Sequence, residues 1–398
     1  GRRILDGTSG LWCCPLGHAH PRIVAAVQQM VATLDYAPAF QIGHPAAFQL
    51  AQELLVFAGG HFSQTFFTNS GSEAADTALK IALAWHHVRG DTRRVRLVGR
   101  ERAYHGVGFG GMSVGGIPAN RQAFGALLPA VYHLPHTHAP EHNAFTRGQP
   151  RWGAHLADEL EKLVALHDAN TIAAVILEPV QGSTGVIVPP EGYLQKIREI
   201  CTKHGILLIF DEVITGFGRL GANFGADRFG VVPDMITFAK AITNGVIPLG
   251  GVIVRDDIYE SIIANGGQEQ AIEFFHGYTY SGHPIPTAAG HAVLDIFKSD
   301  DLINRARALE PVLENGLHAM KGKSGVLDIR NFGLAGAVDL DPVPGKPGLR
   351  ALKVLEACIE RGALVRVAGD VIAVGPPFIS EPKEVEFLCS VLGDAVDV

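Results

Sequence analysis

Cysteine is scarce in this chain. The five present (Cys13, Cys14, Cys201, Cys358 and Cys389) are odd in number and irregularly spaced. They exclude a disulfide framework and read as reduced thiols of a cytoplasmic protein. Long apolar runs are missing as well. The longest, such as 172–177 and 206–210, have the length of buried strands, well short of the roughly 20 residues that a membrane span needs. There is no excess of basic charge: 33 Lys and Arg face 40 Asp and Glu, a net charge of −7, with the charges scattered. No basic stripe can replace phosphate counterions and no polybasic patch can meet anionic lipid, so neither nucleic acid nor a membrane is expected as a partner. Repeats and low-complexity tracts are absent, and the N-terminus lacks the pattern of a signal peptide. The chain starts without Met in a strand-like stretch, so residues upstream are expected to be missing from it.

What is present is a globular composition, 47% hydrophobic and rich in glycine, over 398 residues. That length suits two domains with large interiors. Through the middle, short apolar runs (65–67, 95–98, 172–177, 206–210, 235–239, 251–254) alternate with helical patterns such as 73–88 and 193–203. This predicts an α/β fold, a mostly parallel central sheet covered by helices on both faces. In the first of these helices Ala74, Ala75, Ala78, Leu79 and Ala82 share one face. After about Ser281 the character changes. A helix is expected over 287–297, and another sets Leu302, Ala306, Leu309 and Leu313 on one side. Strand-like pieces follow around Asp328 and at 336–340, 364–367 and 371–374. The expected organisation is a large domain over 36–281 and a smaller α+β domain over 282–398, which residues 1–35 join.

Four features fall where predicted strands end, the place where open α/β sheets bind ligands. Asn69-Ser70-Gly71-Ser72-Glu73 opens a helix. Its free N–H groups, serine hydroxyls and Gly71 make an anion cup, although Ser70 and Glu73 also spell a helix-capping box. Asp211, in Asp211-Glu212-Val213, is a carboxylate behind a buried strand and needs a partner there. A protonated pyridine nitrogen suits it; a metal or a helix cap would also serve. Lys240 ends another apolar strand, where desolvation would leave a neutral, nucleophilic amine, unless it merely snorkels to solvent. Tyr104-His105-Gly106 offers an aromatic platform for a heteroaromatic ring. Jointly they describe a site for pyridoxal 5′-phosphate (PLP): phosphate cup, ring stacker, ring-nitrogen carboxylate and amine.

With Asp6-Gly7-Thr8-Ser9-Gly10-Leu11-Trp12, His133-Leu134-Pro135-His136-Thr137, Ile209-Phe210-Asp211-Glu212-Val213-Ile214-Thr215 and His276-Gly277-Tyr278-Thr279-Tyr280-Ser281, the sequence resembles the class III aminotransferases of fold type I. It is most similar to their ω-amino acid (β-alanine):pyruvate branch, and the resemblance runs through nearly the whole chain. It implies Lys240 as the Schiff-base lysine, Asp211 as partner of the ring nitrogen, and Val213 on the ring face opposite Tyr104. It implies Gly71 and Ser72 in the phosphate cup beside Ser70, with His105 and Glu178 near the cofactor. Thr279 would complete the cup from a neighbouring subunit, so a homodimer or tetramer is implied. Ile214 stands where the ornithine and γ-aminobutyrate branches carry glutamine, and Ala373 where they carry a carboxylate-binding arginine. Arg366 matches the substrate arginine of the pyruvate branch, and a guanidinium fork suits a carboxylate. Trp12, Phe40 and Tyr104 would wall the substrate pocket, although Trp12 and Phe40 also read as ordinary packing aromatics.

The implied reaction is ping-pong transamination, with Lys240 as general acid/base and pyruvate as acceptor. A nicotinamide dehydrogenase is disfavoured, because Gly106-x-Gly108-x-Gly110-Gly111 has the wrong spacing. An aminomutase or decarboxylase on the same cup and lysine is the nearer rival. A binding protein without activity would have no use for Lys240, Asp211 and Arg366 together. His133, His136, His138 and His142 suggest zinc, yet no cysteine or carboxylate pattern completes a site, and no metal is expected.

Overall fold

The computed structural model describes residues 1–267 and 272–397. Its strands in chain order are β1 (Leu5–Asp6), β2 (Gln64–Thr68), β3 (Arg96–Arg100), β4 (Val131–Leu134), β5 (Ile172–Leu177), β6 (Leu207–Asp211) and β7 (Met235–Phe238). They continue with β8 (Gly250–Val254), β9 (Val326–Phe332), β10 (Ala335–Leu340), β11 (Ala363–Leu364), β12 (Arg366–Ala368) and β13 (Val371–Val374). The central sheet has seven strands in the order β2-β8-β7-β6-β5-β3-β4. The pairs from β4 across to β7 are parallel, and β8 runs antiparallel to both β7 and β2. Every residue of β5 and β6 is buried, because helices cover both faces. This is why their sequences are continuously apolar rather than alternating.

The helix Gly71–Val88 covers one face, and Ala74, Ala75, Ala78, Leu79 and Ala82 all lie buried on the side that the 3.6-residue period selects. The helix Leu302–His318 likewise buries Leu302, Ala306, Leu309 and Leu313. A second sheet of four strands runs β12-β13-β10-β9, and β1 pairs with β11. The chain's beginning is thus stitched to a strand more than 350 residues away.

Two expectations need correction. Residues 131–134, left without structure by the pattern, form an edge strand whose first three residues are only half-buried, so no apolar run marks it. The single strand expected over 364–367 is two, since β11 pairs with β1 while β12 pairs with β13. Val365 between them is buried, and the chain changes partner there. Among the described residues no helix is long and apolar enough to cross a membrane.

Candidate active site

The site gathers at the carboxyl ends of the parallel strands. Glu178 follows β5, Asp211 ends β6, Lys240 stands two residues beyond β7, and Tyr104 lies on the loop after β3. With the opening of the Gly71–Val88 helix they line one cavity, partly open to solvent.

Asp211 is 5% exposed and its carboxylate is fully engaged on one side. Oδ2 lies 2.7 Å from His105 Nδ1, and Oδ1 accepts the Val213 N–H at 3.1 Å. A carboxylate only accepts, so His105 donates from Nδ1. His105, expected beside the cofactor, lines the cavity with its ring held as a partner of Asp211. Its Nε2 is buried with no hydrogen-bond partner among the described residues.

Lys240 opens a short 3₁₀ turn and has φ +54°, the left-handed region that a lysine rarely adopts. Such backbone costs on the order of 1–3 kcal/mol and persists where the surroundings over-determine it. Burial holds the Lys240 amine below the usual lysine range. Asp211, Cys13 and Glu178 oppose that shift, and Arg366 adds to it. Glu178 is raised to about 7, chiefly by burial and further by Asp211, against the pull of His105, Arg100 and the Tyr104 N–H. That N–H donates to Glu178 Oε2 at 3.2 Å.

The cup is built on two glycines. A Cβ on Gly71 would lie 3.1 Å from both methyls of Val213, and one on Gly106 (φ +92°) would lie 2.4 Å from Ser72 Oγ. Ser72 Oγ accepts the Val107 N–H at 3.1 Å. The first intrahelical bond runs from Ala74 N–H to Ser70 C=O at 3.0 Å, which leaves the N–H groups of Gly71 and Ser72 ahead of it. Ser70 caps the helix, since Glu73 N–H donates to its Oγ at 3.2 Å; Glu73 Oε2 accepts the Asn69 N–H at 2.7 Å rather than that of Ser70, so the reciprocal half of a capping box is missing. Ser70 is not on the cavity wall, whereas Gly71, Ser72, Tyr104, His105, Val213 and Ile214 are.

PLP fits these residues. The helix opening suits its phosphate, Val213 and Tyr104 its ring faces, Asp211 its ring nitrogen and Lys240 its aldehyde. His105, whose buried Nε2 lacks a partner among the described residues, stands on the same wall, and Gly71 and Gly106 let Val213 and Ser72 close up beside it. Three wall residues were not singled out from the sequence: Val180, Ser183 and Ala239. They carry no distinctive chemistry and reach the site only through the loop after β5 and the end of β7.

Besides Ser70, four expected residues lie off the wall of this cavity. Trp12 is buried at 2% exposure, and a Cβ on Gly375 would come 2.1 Å from its Cζ3, so it packs as a core aromatic. Phe40 is 48% exposed and lies against Gly277. Thr279 is exposed. Arg366, on β12, is close enough to act on Lys240, and its Nε is buried without a partner among the described residues. The histidine cluster also behaves differently from expectation. The fold does bring carboxylates to His138, namely Asp328 and Asp339, but Arg330 donates to both of them.

A family profile described as Aminotransferase class-III matches residues 1–396. The chain is 54% identical over 385 residues to an "Omega-aminotransferase" of Caulobacter vibrioides, covering 97% of this chain and 87% of that protein. It is 49% identical over 398 residues to a "Beta-alanine--pyruvate aminotransferase" of Pseudomonas aeruginosa, covering 100% and 88%. A solved amine transaminase from an uncultivated Pseudomonas species, in its PLP-bound form, superposes with a TM-score of 0.92 at 36% identity, over 99% of this chain and 90% of that one.

Proposed function

This chain belongs to the class-III aminotransferases, with PLP as its cofactor, and from that premise we propose that it transfers the amino group of an ω-amino acid such as β-alanine, or of a simple amine, to pyruvate, giving L-alanine and an aldehyde or ketone. The observation that carries the reading is Lys240: a buried amine with lowered proton affinity on the same cavity wall as Asp211, with Arg366 close by.

When bound, PLP supplies an aldehyde that condenses with amines and a ring that draws electrons from the carbon beside the nitrogen. Lys240 Nζ, its proton affinity lowered by burial, would be the amine that holds the cofactor through its aldehyde carbon. Freed, the same Nζ accepts a proton and returns it one position away, as a general acid/base with a tuned pKa does. Asp211, oriented by His105 and the Val213 N–H, keeps a negative charge at the ring-nitrogen end. Gly71 and Ser72 would hold the phosphate, Ser70 caps the helix that presents them, and Val213 and Tyr104 would hold the ring. Glu178 and Ile214 close the remaining side. Arg366 would bind the carboxylate of donor and acceptor, with Phe40 at the pocket's outer edge and Trp12 packed in the core behind it.

A second copy completes the site by bringing Thr279 to the phosphate, which makes the working form a homodimer or tetramer. Two features support this. Thr279 is exposed and off the cavity of its own chain, and Val107 and Phe109 beside the cup are 66% and 60% exposed. The five free cysteines support a cytoplasmic setting.

Incubation with pyruvate and a panel of donors should yield alanine, with parallel initial-rate plots. Absence of alanine with every donor would sink the transfer to pyruvate and favour an aminomutase or decarboxylase. Replacing Arg366 with Met should raise KM for β-alanine and pyruvate by about 10- to 100-fold, the worth of hydrogen bonds to a charged group. A donor without a carboxylate should keep its KM, and an equal rise for both donors would remove Arg366 from carboxylate binding.

A further inference from the structure

Behind the cavity, on the side of the second sheet, lies a buried charged cluster that transamination does not use. Asp328 and Arg330 come from β9, Asp339 from β10, His138 from the loop after β4, and Arg102 from the loop after β3. Arg330 donates to Asp328 Oδ2 at 2.9 Å, to Asp339 Oδ1 at 2.7 Å and to the Gly185 carbonyl at 2.8 Å. His138 Nε2 lies 3.1 Å from Asp339 Oδ2 and 3.9 Å from Asp328 Oδ2, with Arg330 Nη1 at 3.4 Å. On its other side, His138 Nδ1 lies 2.8 Å from Arg102 Nη1.

That last contact fixes the tautomer. A guanidinium only donates, so Nδ1 must accept and the ring's one proton sits on Nε2, facing Asp339. The ring in this arrangement is neutral. A second proton could go only to Nδ1, and there it would displace the Arg102 guanidinium. A metal is not the occupant these residues favour, because Arg330 already supplies the positive charge between the two carboxylates.

Arg102 leads to the site. It lies two residues before Tyr104, and its carbonyl accepts the Thr184 hydroxyl at 3.0 Å. Thr184 follows Ser183, a wall residue, and the Gln181 side chain donates to the Glu101 carbonyl at 2.9 Å. The two loops that carry Tyr104, His105, Val180 and Ser183 are therefore tied to each other, and Arg102 ties them to the second sheet.

We propose that His138 is a positioning residue: its neutral ring hooks Arg102, and with it the Tyr104–Gly106 loop, to the Asp328–Asp339 pair, and protonation at Nδ1 releases that hook. The groups facing the ring set the direction. Burial disfavours its charge, as does Arg330, while Asp328 and Asp339 favour it; Arg102 faces Nδ1, the His136 ring stands 6.4 Å away and Glu101 lies toward Arg102. The two carboxylates prevail and hold His138 above the ordinary value of 6.5. Protonation thus tightens the cluster, a contribution lost as pH rises through this midpoint, while the hook on Arg102 forms only above it.

The inference rests on PLP occupying the cavity, and its test separates the two. In the holoenzyme, the dissociation constant for PLP, read from visible absorbance on dilution, should weaken by about tenfold between about pH 8.5 and about pH 6. His138→Gln keeps an acceptor for Arg102 and a donor for Asp339 but takes up no proton. Its constant should show about tenfold less weakening than the wild type's across that range, any change left being that of Glu178 on the cavity wall, which both proteins share. Arg102→Met should bind weakly at every pH, as the wild type does at low pH. A His138→Gln profile that tracks the wild type would overturn the hook, as would an Arg102→Met profile equal to the wild type. Absence of PLP absorbance in the wild type itself would instead overturn the cofactor reading on which the hook depends.

Discussion

Lys240→Ala should leave a folded protein that has lost turnover by more than about 10⁴-fold and does not retain PLP on dilution. The size follows from the two roles proposed for one nitrogen. The amine holds the cofactor's aldehyde carbon, so removing it leaves only the non-covalent grip of the cup. It is also the proton carrier, a role worth about 10²–10⁴ by itself. The fold should survive because the apolar environment no longer has to accommodate an amine. The loss is confined to the cavity side of the short turn, while Ala241 and Ile242 beside it stay in the core. Alanine inherits the φ of +54° at this position, a strain that lysine already bears. Circular dichroism and thermal unfolding report the fold, and visible absorbance reports the bound cofactor. Turnover near the wild-type rate would show that another lysine does the work.

The sheet was readable because its logic is one-dimensional. β5 and β6 are continuously apolar since both faces are covered, and that run is visible in residues 172–177 and 206–210 without any tertiary knowledge. Asp211 and Lys240 stood out for the opposite reason, as charged side chains where such a strand ends. The resemblance to a known family, rather than any spacing, singled out Glu178, Val213 and Ile214 on the same wall.

What stayed hidden depends on contacts between distant residues. His105 is 106 positions from Asp211, and nothing in Tyr104-His105-Gly106 indicates that its Nδ1 serves that carboxylate. His138 read as a stray member of a histidine cluster, because its partners on β9 and β10 lie about 200 residues on. Trp12 folds under Gly375, a pairing that no local pattern specifies. Ser70 shows a different difficulty: a helix cap and an anion cup ask for the same residues, and only coordinates reveal that its hydroxyl is spent on Glu73.

Asp211→Asn should lower kcat by roughly 10²–10⁴, the equivalent of about 3–5 kcal/mol for removing one partner of a buried charge pair. The substitution is nearly isosteric, so packing is not the cause; the inventory of donors and acceptors is. The carboxylate accepts from His105 Nδ1 with one oxygen and from the Val213 N–H with the other. Asparagine has a single acceptor oxygen, so its amide N–H₂ must face one of those two donors. If it faces His105, the ring is pushed to its other tautomer, with the proton on the buried and unpartnered Nε2. If it faces Val213, the loop after β6 loses the bond that sets Val213 against Gly71. In either arrangement the negative charge at the ring-nitrogen end is gone, and with it the pull that keeps that nitrogen protonated. The loss should therefore fall on kcat far more than on KM for pyruvate, whose carboxylate is proposed to bind Arg366. Steady-state kinetics with excess PLP separate the two, and a kcat within about threefold of the wild type would remove Asp211 from the catalytic machinery.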